Sequence, residues 1–270
     1  MHYDAAAHRA EVGVVGGSGF YSFLEDASQI DIDTPYGPPS APPSLGRVGG
    51  RAVAFLPRHG KAHEHPPHRV NFRANIWAMR ELGVTRIVGP CAVGSLRPDV
   101  HPGDIVVCDQ LVDRTWGRPD TFFDGPTVNH VSFADPYCPE LRSAAMHALR
   151  THNVPHHSEG TVVVIQGPRF STRAESLWFR SAGWSVVNMT QHPEALLARE
   201  LGICYVALCL VTDYDAGLDG QPDIRPVEMA EVFAQLNRNV DTTRNVLSTL
   251  IPTIPAERSC HCSSAATATV

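Results

Sequence analysis

Leu208-Cys209-Leu210-Val211-Thr212-Asp213-Tyr214-Asp215 is an apolar run long enough for a buried strand, and it stops on two carboxylates two residues apart. Side chains at i and i+2 of an extended segment point the same way, so Asp213 and Asp215 are expected to converge on one small volume. In parallel-sheet proteins, ligands bind outside the carboxyl ends of the strands. The acid pair is therefore a candidate site. The competing reading is that both residues simply open a solvated loop.

Outward from this run, the chain alternates between strand and helix patterns. Short β-branched runs at 11–15, 52–56, 86–89, 105–108, 160–165 and 185–188 read as strands. Between them lie helix patterns at 71–82, closed by Gly83, at 139–150 with proline in the first turn, and at 193–201, ending at Gly202. A further helix runs to about residue 182, with Ser171 or Thr172 as its cap. Met229, Val232, Phe233, Leu236, Val240, Leu247 and Leu250 recur at helical spacing across 227–251, and Pro252 is expected to end that helix. The small-residue stretch 90–96 reads as a turn. With no repeat and no linker-like shift in composition, residues 1–251 are expected to form one α/β domain. The Ala/Ser/Thr-rich stretch 252–270 reads as a disordered tail.

Bulk properties narrow the class. A chain of 270 residues with 43% hydrophobic and 19% charged residues can bury a sizeable core. A net charge of -6 leaves no electrostatic footprint for nucleic acid. No apolar segment approaches the length that spans a bilayer, and the N-terminus lacks a basic region followed by an apolar core. Seven cysteines, an odd number scattered through apparent strands, suit reduced thiols and a cytoplasmic location. No metal site is expected. His63, His65 and His68 lie on a loop broken by Pro66-Pro67, and Cys260-His261-Cys262 supplies too few ligands for a closed site.

Several strand ends carry anion donors. Gly16-Gly17-Ser18-Gly19 follows the first strand, where backbone N–H groups and the Ser18 hydroxyl can approach an anion. The G-x-x-G-x-x-G spacing from Gly13 is wrong for a dinucleotide fingerprint, and proline-rich sequence at 35–43 stands where its helix would be. Arg58 offers a planar fork for phosphate or carboxylate, with His59 as a second donor or an acid/base group. Cys91-Ala92 and Thr190 end two later strands. If these ends meet, they make a phosphate pocket beside a second one built from Asp213, Asp215 and Ser171. Phosphorolysis of a nucleoside requires that pairing: phosphate is the nucleophile, the sugar becomes cationic, and the base leaves more readily when an acid protonates it.

Gly16-Gly17-Ser18-Gly19, Arg58-His59-Gly60, Gly94-Ser95-Leu96, Pro102-Gly103-Asp104, Gly167-Pro168-Arg169-Phe170-Ser171, Asn188-Met189-Thr190, Pro193-Glu194 and Thr212-Asp213-Tyr214-Asp215 occur in this order. The ordered set resembles the trimeric purine nucleoside phosphorylases, and most of all their 5′-methylthioadenosine phosphorylase branch, over residues 12–251. The resemblance implies a single-domain α/β fold around a mixed, partly barrel-like β-sheet flanked by helices, assembled as a homotrimer. It implies that Ser18, Arg58, His59, Ala92 and Thr190 hold phosphate, with Cys91 where that branch has a phosphate-binding threonine. A thiol is the weaker donor. Met189 would lie against the ribose, and Phe170 and Ser171 would line the base site. Asp213 would face N7 as proton donor and Asp215 the 6-amino group. His130 would reach across the trimer interface towards the 5′ substituent, where Met229, Val232 and Phe233 would form an apolar wall. Two further departures are Gln191-His192, in place of a small or apolar pair, and a C-terminal tail that does not match.

An ionised Asp215 accepts from an exocyclic amine and repels a 6-oxo group, which favours 5′-methylthioadenosine, then adenosine. Gln191 is the feature that could satisfy a 6-oxo edge, so inosine or guanosine cleavage is the alternative. No cofactor is expected, inorganic phosphate being a co-substrate. A nucleoside-binding protein without catalysis would have lost the phosphate donors or the acid, and neither is lost. A nicotinamide oxidoreductase is opposed by the turn spacing.

Overall fold

The computed structural model describes residues 9–17, 24–216, 224 and 227–265, apart from the side chains of Glu25, Met229, Glu231, Phe233, Leu236 and Ala265. In chain order the strands are β1 (Val12–Gly16), β2 (Glu25–Gln29), β3 (Ser44–Val48), β4 (Arg51–Pro57), β5 (Arg86–Ser95), β6 (Ile105–Val106), β7 (Gln110–Arg114), β8 (His156–His157), β9 (Thr161–Ile165), β10 (Val186–Asn188) and β11 (Cys204–Asp213). The helices are α1 (Phe72–Glu81), α2 (Pro139–Thr151), α3 (Arg173–Ser181), α4 (Gln191–Glu200), α5 (Met229–Thr253) and α6 (Cys262–Ala265).

The eleven strands of the described residues belong to one mixed sheet, as the family resemblance implied, and β5 is its branch point. One edge of β5 pairs in parallel with β11 along nearly its whole length. The other edge pairs with β1 over Arg86–Val88 and then, antiparallel, with β10 over Gly94–Ser95. An edge that passes from one neighbour to another makes the sheet curl, which gives it its partly barrel-like form. Pro90 lies in the gap between those two pairings, so its missing N–H breaks no bond to β1 or β10. This is also why most of 90–96, expected as a turn, continues the strand, which ends at Ser95. Its small residues are there for close approach: a Cβ at Gly89 would meet Tyr205 Oη at 2.2 Å.

The run that opened the sequence is buried from Cys204 to Thr212 because both faces of β11 are covered. Tyr205, Ala207, Cys209 and Val211 enter one core with Ile76 and Met79 of α1 and Leu197 of α4. Cys204, Val206, Leu208 and Leu210 enter a second core with Leu141 and Leu149 of α2 and Leu247 and Leu250 of α5. Each fully buried Val or Leu contributes about 1.5–3 kcal/mol, so these two layers fix the register of the strand. Thr172, rather than Ser171, caps α3, through a reciprocal capping box with Glu175.

Two expectations change. Strands β2, β3, β7 and β8 were not foreseen, their sequences being largely polar or, for β8, only two residues long. The expected disordered tail is ordered as far as the described residues go. Pro252 lies inside the last turn of α5, Ile254 is buried, and Arg86 donates to the Pro255 and Ala256 carbonyls at 2.7 and 3.0 Å. Arg258 donates to the Gly202 carbonyl at 2.8 Å. Residues 266–270 lie outside the described residues. Among the described residues, no helix is long and apolar enough to cross a membrane.

Candidate active site

Strand β11 stays in register with β5 from Cys204 opposite Arg86 to Val211 opposite Val93. A bulge then sets Asp213 opposite Gly94, with Thr212 as the extra residue. Bulges re-aim side chains next to sites. The Thr212 hydroxyl donates to Asp213 Oδ2 at 2.7 Å, and the Asp215 N–H donates to Asp213 Oδ1 at 2.7 Å. The acids do converge, but through this turn rather than through strand alternation. Asp215 lies beyond the strand in the left-handed region at φ 48°, which Asp tolerates better than most residues.

The two carboxyls have different environments. Both oxygens of Asp213 accept hydrogen bonds, from the Thr212 hydroxyl and the Asp215 N–H, which fixes its orientation. Asp215 is 2% exposed, and burial is the largest influence on it, pushing its carboxyl above the usual range against the opposing pull of the nearby Ser176 and Ser171 hydroxyls. Among the described residues, neither its Oδ2 nor the buried Oγ of Ser171 has a partner in good hydrogen-bond geometry, although the two side chains are neighbours. Polar atoms left in that state are what an arriving ligand satisfies.

Arg58, read from the sequence as a fork for phosphate or carboxylate, has a carboxylate as its partner. Arg58 is 1% exposed, and its fork is closed on Glu194 through Nε and Nη2, both at 2.7 Å. Nη2 also donates to the Val15 carbonyl at 2.6 Å and Nη1 to the Pro90 carbonyl at 3.1 Å. Among the described residues, four of the five guanidinium N–H groups are thus used, and one on Nη1 is not. Glu194 is fully buried and also accepts from Tyr205 Oη at 2.7 Å. His59 Nδ1 lies 2.8 Å from the His65 carbonyl, which can only accept, so Nδ1 carries the proton. Burial, followed by the charge of Arg58, pushes the imidazole down to about 4. His59 is therefore neutral at pH 7, and Nε2 is an acceptor suited to a hydroxyl of phosphate or ribose. Asn188 ties two of the expected phosphate loops together: its Nδ2 donates to the Ala92 carbonyl at 3.0 Å, and its Oδ1 accepts from the Thr190 N–H at 2.7 Å.

These groups share one cleft of about 370 Å³, within the range of small-molecule sites. Arg58, His59, Cys91, Ala92, Thr190, Phe170, Met189, Val232, Asp213 and Asp215 all line it. Ser171 is not on its wall but stands beside Asp215. Ser18 and the side chains of Met229 and Phe233 lie outside the described residues. His130 is exposed and is not on this wall. Gln191, read as facing the base, is turned into the core. It accepts from Tyr137 Oη, and its Nε2 donates to Cys209 Sγ at 3.0 Å. His192 likewise leaves the cleft, with Nε2 3.3 Å from Asp113. The Cys91 thiol lies 4.0 Å from Cys209 Sγ, and its hydrogen bond to Cys209, followed by burial, pushes it far above the usual thiol range, so it is no thiolate.

The sequence reading also missed participants. Glu194 had been noted only within a motif, and the i, i+1 adjacency to Pro193 carries no sign of its pairing with a residue 136 positions away. Thr212 and Gly94 were visible as residues, but the bulge that gives them their roles was not. His63, set aside as a loop histidine, lines the cleft and stacks on His59 with ring centroids 4.5 Å apart. In the tail, metal binding was set aside because Cys260-His261-Cys262 by itself supplies too few ligands. Cys138 and Cys204 join Cys260 and Cys262, and the four sulfurs lie within 4.8 Å of one another.

A cleft that holds a pair of acids, a buried arginine and a neutral histidine at the carboxyl ends of parallel strands in a curled mixed sheet defines a nucleoside phosphorylase-like enzyme. The comparisons agree. Residues 11–252 match the family model described as the phosphorylase superfamily, and the chain belongs to that family. Purine nucleoside phosphorylase of Streptomyces coelicolor is 55% identical over 95% of this chain and 94% of its own length. S-methyl-5′-thioadenosine phosphorylase of Mycolicibacterium smegmatis is 56% identical over 93% and 94%. Among solved structures, a methylthioadenosine phosphorylase from an antarctic soil metagenomic library superposes with a TM-score of 0.91 at 40% identity, over 97% of this chain and 93% of that one. The chain is thus an enzyme of the pentosyltransferase class.

Proposed function

We propose that this enzyme cleaves 5′-methylthioadenosine with phosphate, giving adenine and 5-methylthioribose 1-phosphate for purine and methionine salvage. A phosphate oxygen bonds to C1′, the C1′–N9 bond breaks with its electron pair passing to the purine, and N7 takes up a proton. The observation that carries this reading is the run of β5 along the cleft. The Pro90 carbonyl holds Arg58, and Gly94 faces Asp213. Four residue steps along the strand separate them by about 13 Å. That span accommodates a phosphate at one end and a purine at the other, with Phe170, Met189 and Val232 as apolar wall.

In this reading the remaining N–H of Arg58, His59 Nε2 and the Thr190 hydroxyl hold phosphate, joined by Ser18 and the backbone at Ala92. Asp213 faces N7, and Asp215 accepts from the 6-amino group. Asp213 reaches N7 in its protonated form, gives up that proton as the C1′–N9 bond breaks, and is left as a carboxylate that the Thr212 hydroxyl and the Asp215 N–H stabilise. The homotrimer belongs to the same reading, with His130 of one subunit reaching the 5′ substituent of the next. The exposed Trp116 and Trp178 offer apolar area for such an interface. Seven free thiols fit a cytoplasmic enzyme.

One observation favours cleavage of 6-oxopurine nucleosides instead. A carboxyl pushed up by burial, as Asp215 is, can stay protonated and donate to a 6-oxo group. Against it, Gln191, the residue best suited to an oxo/NH edge, is committed to Tyr137 and Cys209. The deciding experiment is kcat/KM for methylthioadenosine, adenosine and inosine at fixed phosphate, with a phosphate-free control. Methylthioadenosine should lead, and only with phosphate present. A preference for inosine would replace the substrate, and cleavage without phosphate would make the enzyme a hydrolase.

A further inference from the structure

Four cysteine sulfurs meet at the end of β11 remote from the acid pair. Cys204 opens the strand, Cys138 precedes the first residue of α2, and Cys260 and Cys262 come from the segment after α5. All four Sγ atoms lie within 4.8 Å of one another, with Cys204 and Cys260 at 3.4 Å, and all four are free thiols. Cys138, Cys204 and Cys262 are buried, and Cys260 is half-buried.

Packing alone does not account for this convergence. A thiol behaves as a small hydrophobe and can be satisfied by apolar neighbours, which the core around Leu141 and Val206 supplies. Here three separate segments bring sulfur tips together. Four sulfurs placed tetrahedrally about 2.3 Å from a metal lie about 3.8 Å apart, so the observed cluster is close to that arrangement. A purely thiolate, tetrahedral set selects zinc among common redox-silent ions, and four protein ligands leave no open position for catalysis. Arg199, 8% exposed, stands beside Cys262, where its charge offsets part of the negative charge of a tetrathiolate.

We propose that Cys138, Cys204, Cys260 and Cys262 form a closed, structural site for one zinc ion, which fastens the C-terminal segment to the starts of β11 and α2. Four S–H bonds give way to four Zn–S bonds with release of four protons, and no oxidant is involved. The ion ties down the segment that supplies carbonyls to Arg86 and closes one end of the strand whose other end carries Asp213.

The test is made on the full chain, produced under reducing conditions and purified without metal-affinity resin or chelator. Elemental analysis should find about one zinc per chain. A mercurial thiol reagent should release it in step with titration of four thiols, and a cobalt-reconstituted sample should show thiolate-to-cobalt charge-transfer bands. The double variant Cys260→Ser/Cys262→Ser should lose at least tenfold in zinc content. Because that variant could fail to fold, the unmodified chain decides the matter by itself. Less than a tenth of a zinc per chain after incubation with zinc, bound iron in its place, or mass-spectrometric detection of disulfides among the four, would each overturn the proposal.

Discussion

Gly94 and Asp213 face each other across β5 and β11, and the empty space at Gly94 is what the acid pair occupies. A Cβ there would stand 2.9 Å from Asp213 Oδ1, 3.1 Å from Val187 Cγ1 and 3.2 Å from Asp215 Cβ. The strand cannot retreat, since β5 is paired on both edges. Gly94→Ala should therefore leave a folded protein, destabilised by about 1–3 kcal/mol through overpacking. Displacing the acids should cost on the order of 100-fold in turnover. Steady-state kinetics beside thermal unfolding checks both. Turnover equal to that of the unmodified enzyme would mean that the acids tolerate displacement and are not held in a reacting geometry.

The two acids should separate under mutation. Asp213→Asn removes the carboxyl group assigned to N7 and should cut turnover by a factor on the order of 100. Asp215→Asn should act on stability in the opposite sense. The folded state raises the Asp215 value, because burial disfavours its charged form. Its contribution to stability is therefore present at low pH and is lost as pH rises through the raised value. The Asn variant should match the unmodified protein at about pH 4 and be equal or more stable near pH 8, while losing its preference for 6-amino over 6-oxo nucleosides. Melting temperatures across that range, with kcat/KM for adenosine and inosine, test it. An Asp215→Asn protein less stable than the unmodified one at pH 8 would contradict the buried-charge reading.

Legibility in the sequence followed the physics of each element. The run from Leu208 was readable as a strand because both faces of β11 are buried, which leaves an uninterrupted apolar signature; the strand itself begins earlier, at Cys204. Strand β2, Glu25-Asp26-Ala27-Ser28-Gln29, has no such signature and is held by its ladder to β3. Strand β5 misled because Gly89, Pro90 and Gly94 are turn-forming residues in isolation. In the fold they make room for Tyr205, a gap between partners and the acid pair. Candidate residues with chemically distinctive side chains, such as Arg58 and Asp213, could be found one at a time. Who neutralises Arg58, which nitrogen of His59 carries its proton, and where Gln191 points are pair properties of residues far apart in sequence.

His59 sets a second pH dependence, of opposite sign to that of Asp215. Its folded value is lowered from 6.5 to about 4 by burial and by Arg58, so the unfolded chain takes up a proton first as pH falls. Stability should be complete above about pH 6.5 and should be lost progressively towards pH 4, at up to roughly 1.4 kcal/mol per unit. His63 and His192, also lowered by burial, add to the same trend. His59→Asn retains an N–H donor for the His65 carbonyl while removing the titration. Its unfolding free energy should fall less steeply over this window than that of the unmodified protein. Equal slopes would show that His59 is protonated readily in the folded state and is not the neutral acceptor inferred for phosphate.

The buried pair of Arg58 and Glu194 should outweigh every exposed ion pair in the molecule. Their side chains are 2% and 0% exposed, whereas those of Arg97 and Asp99, at a similar 2.8 Å, are 49% and 59% exposed. Removing Glu194 strands a guanidinium that water cannot reach, and breaking a buried pair in this way costs about 3–5 kcal/mol. Removing Asp99 frees an Arg97 that water solvates at once, at a cost of about 0–1 kcal/mol. Glu194→Leu against Asp99→Ala in urea unfolding should show that contrast. Glu194→Gln, which keeps an acceptor for Arg58 Nε, should recover part of the stability. It should still raise the KM for phosphate more than it lowers kcat, since the freed fork no longer presents its remaining N–H in a fixed direction. A Glu194→Leu protein as stable as the Asp99→Ala control would mean that the cradle relaxes around Arg58 and that Glu194 does not position it.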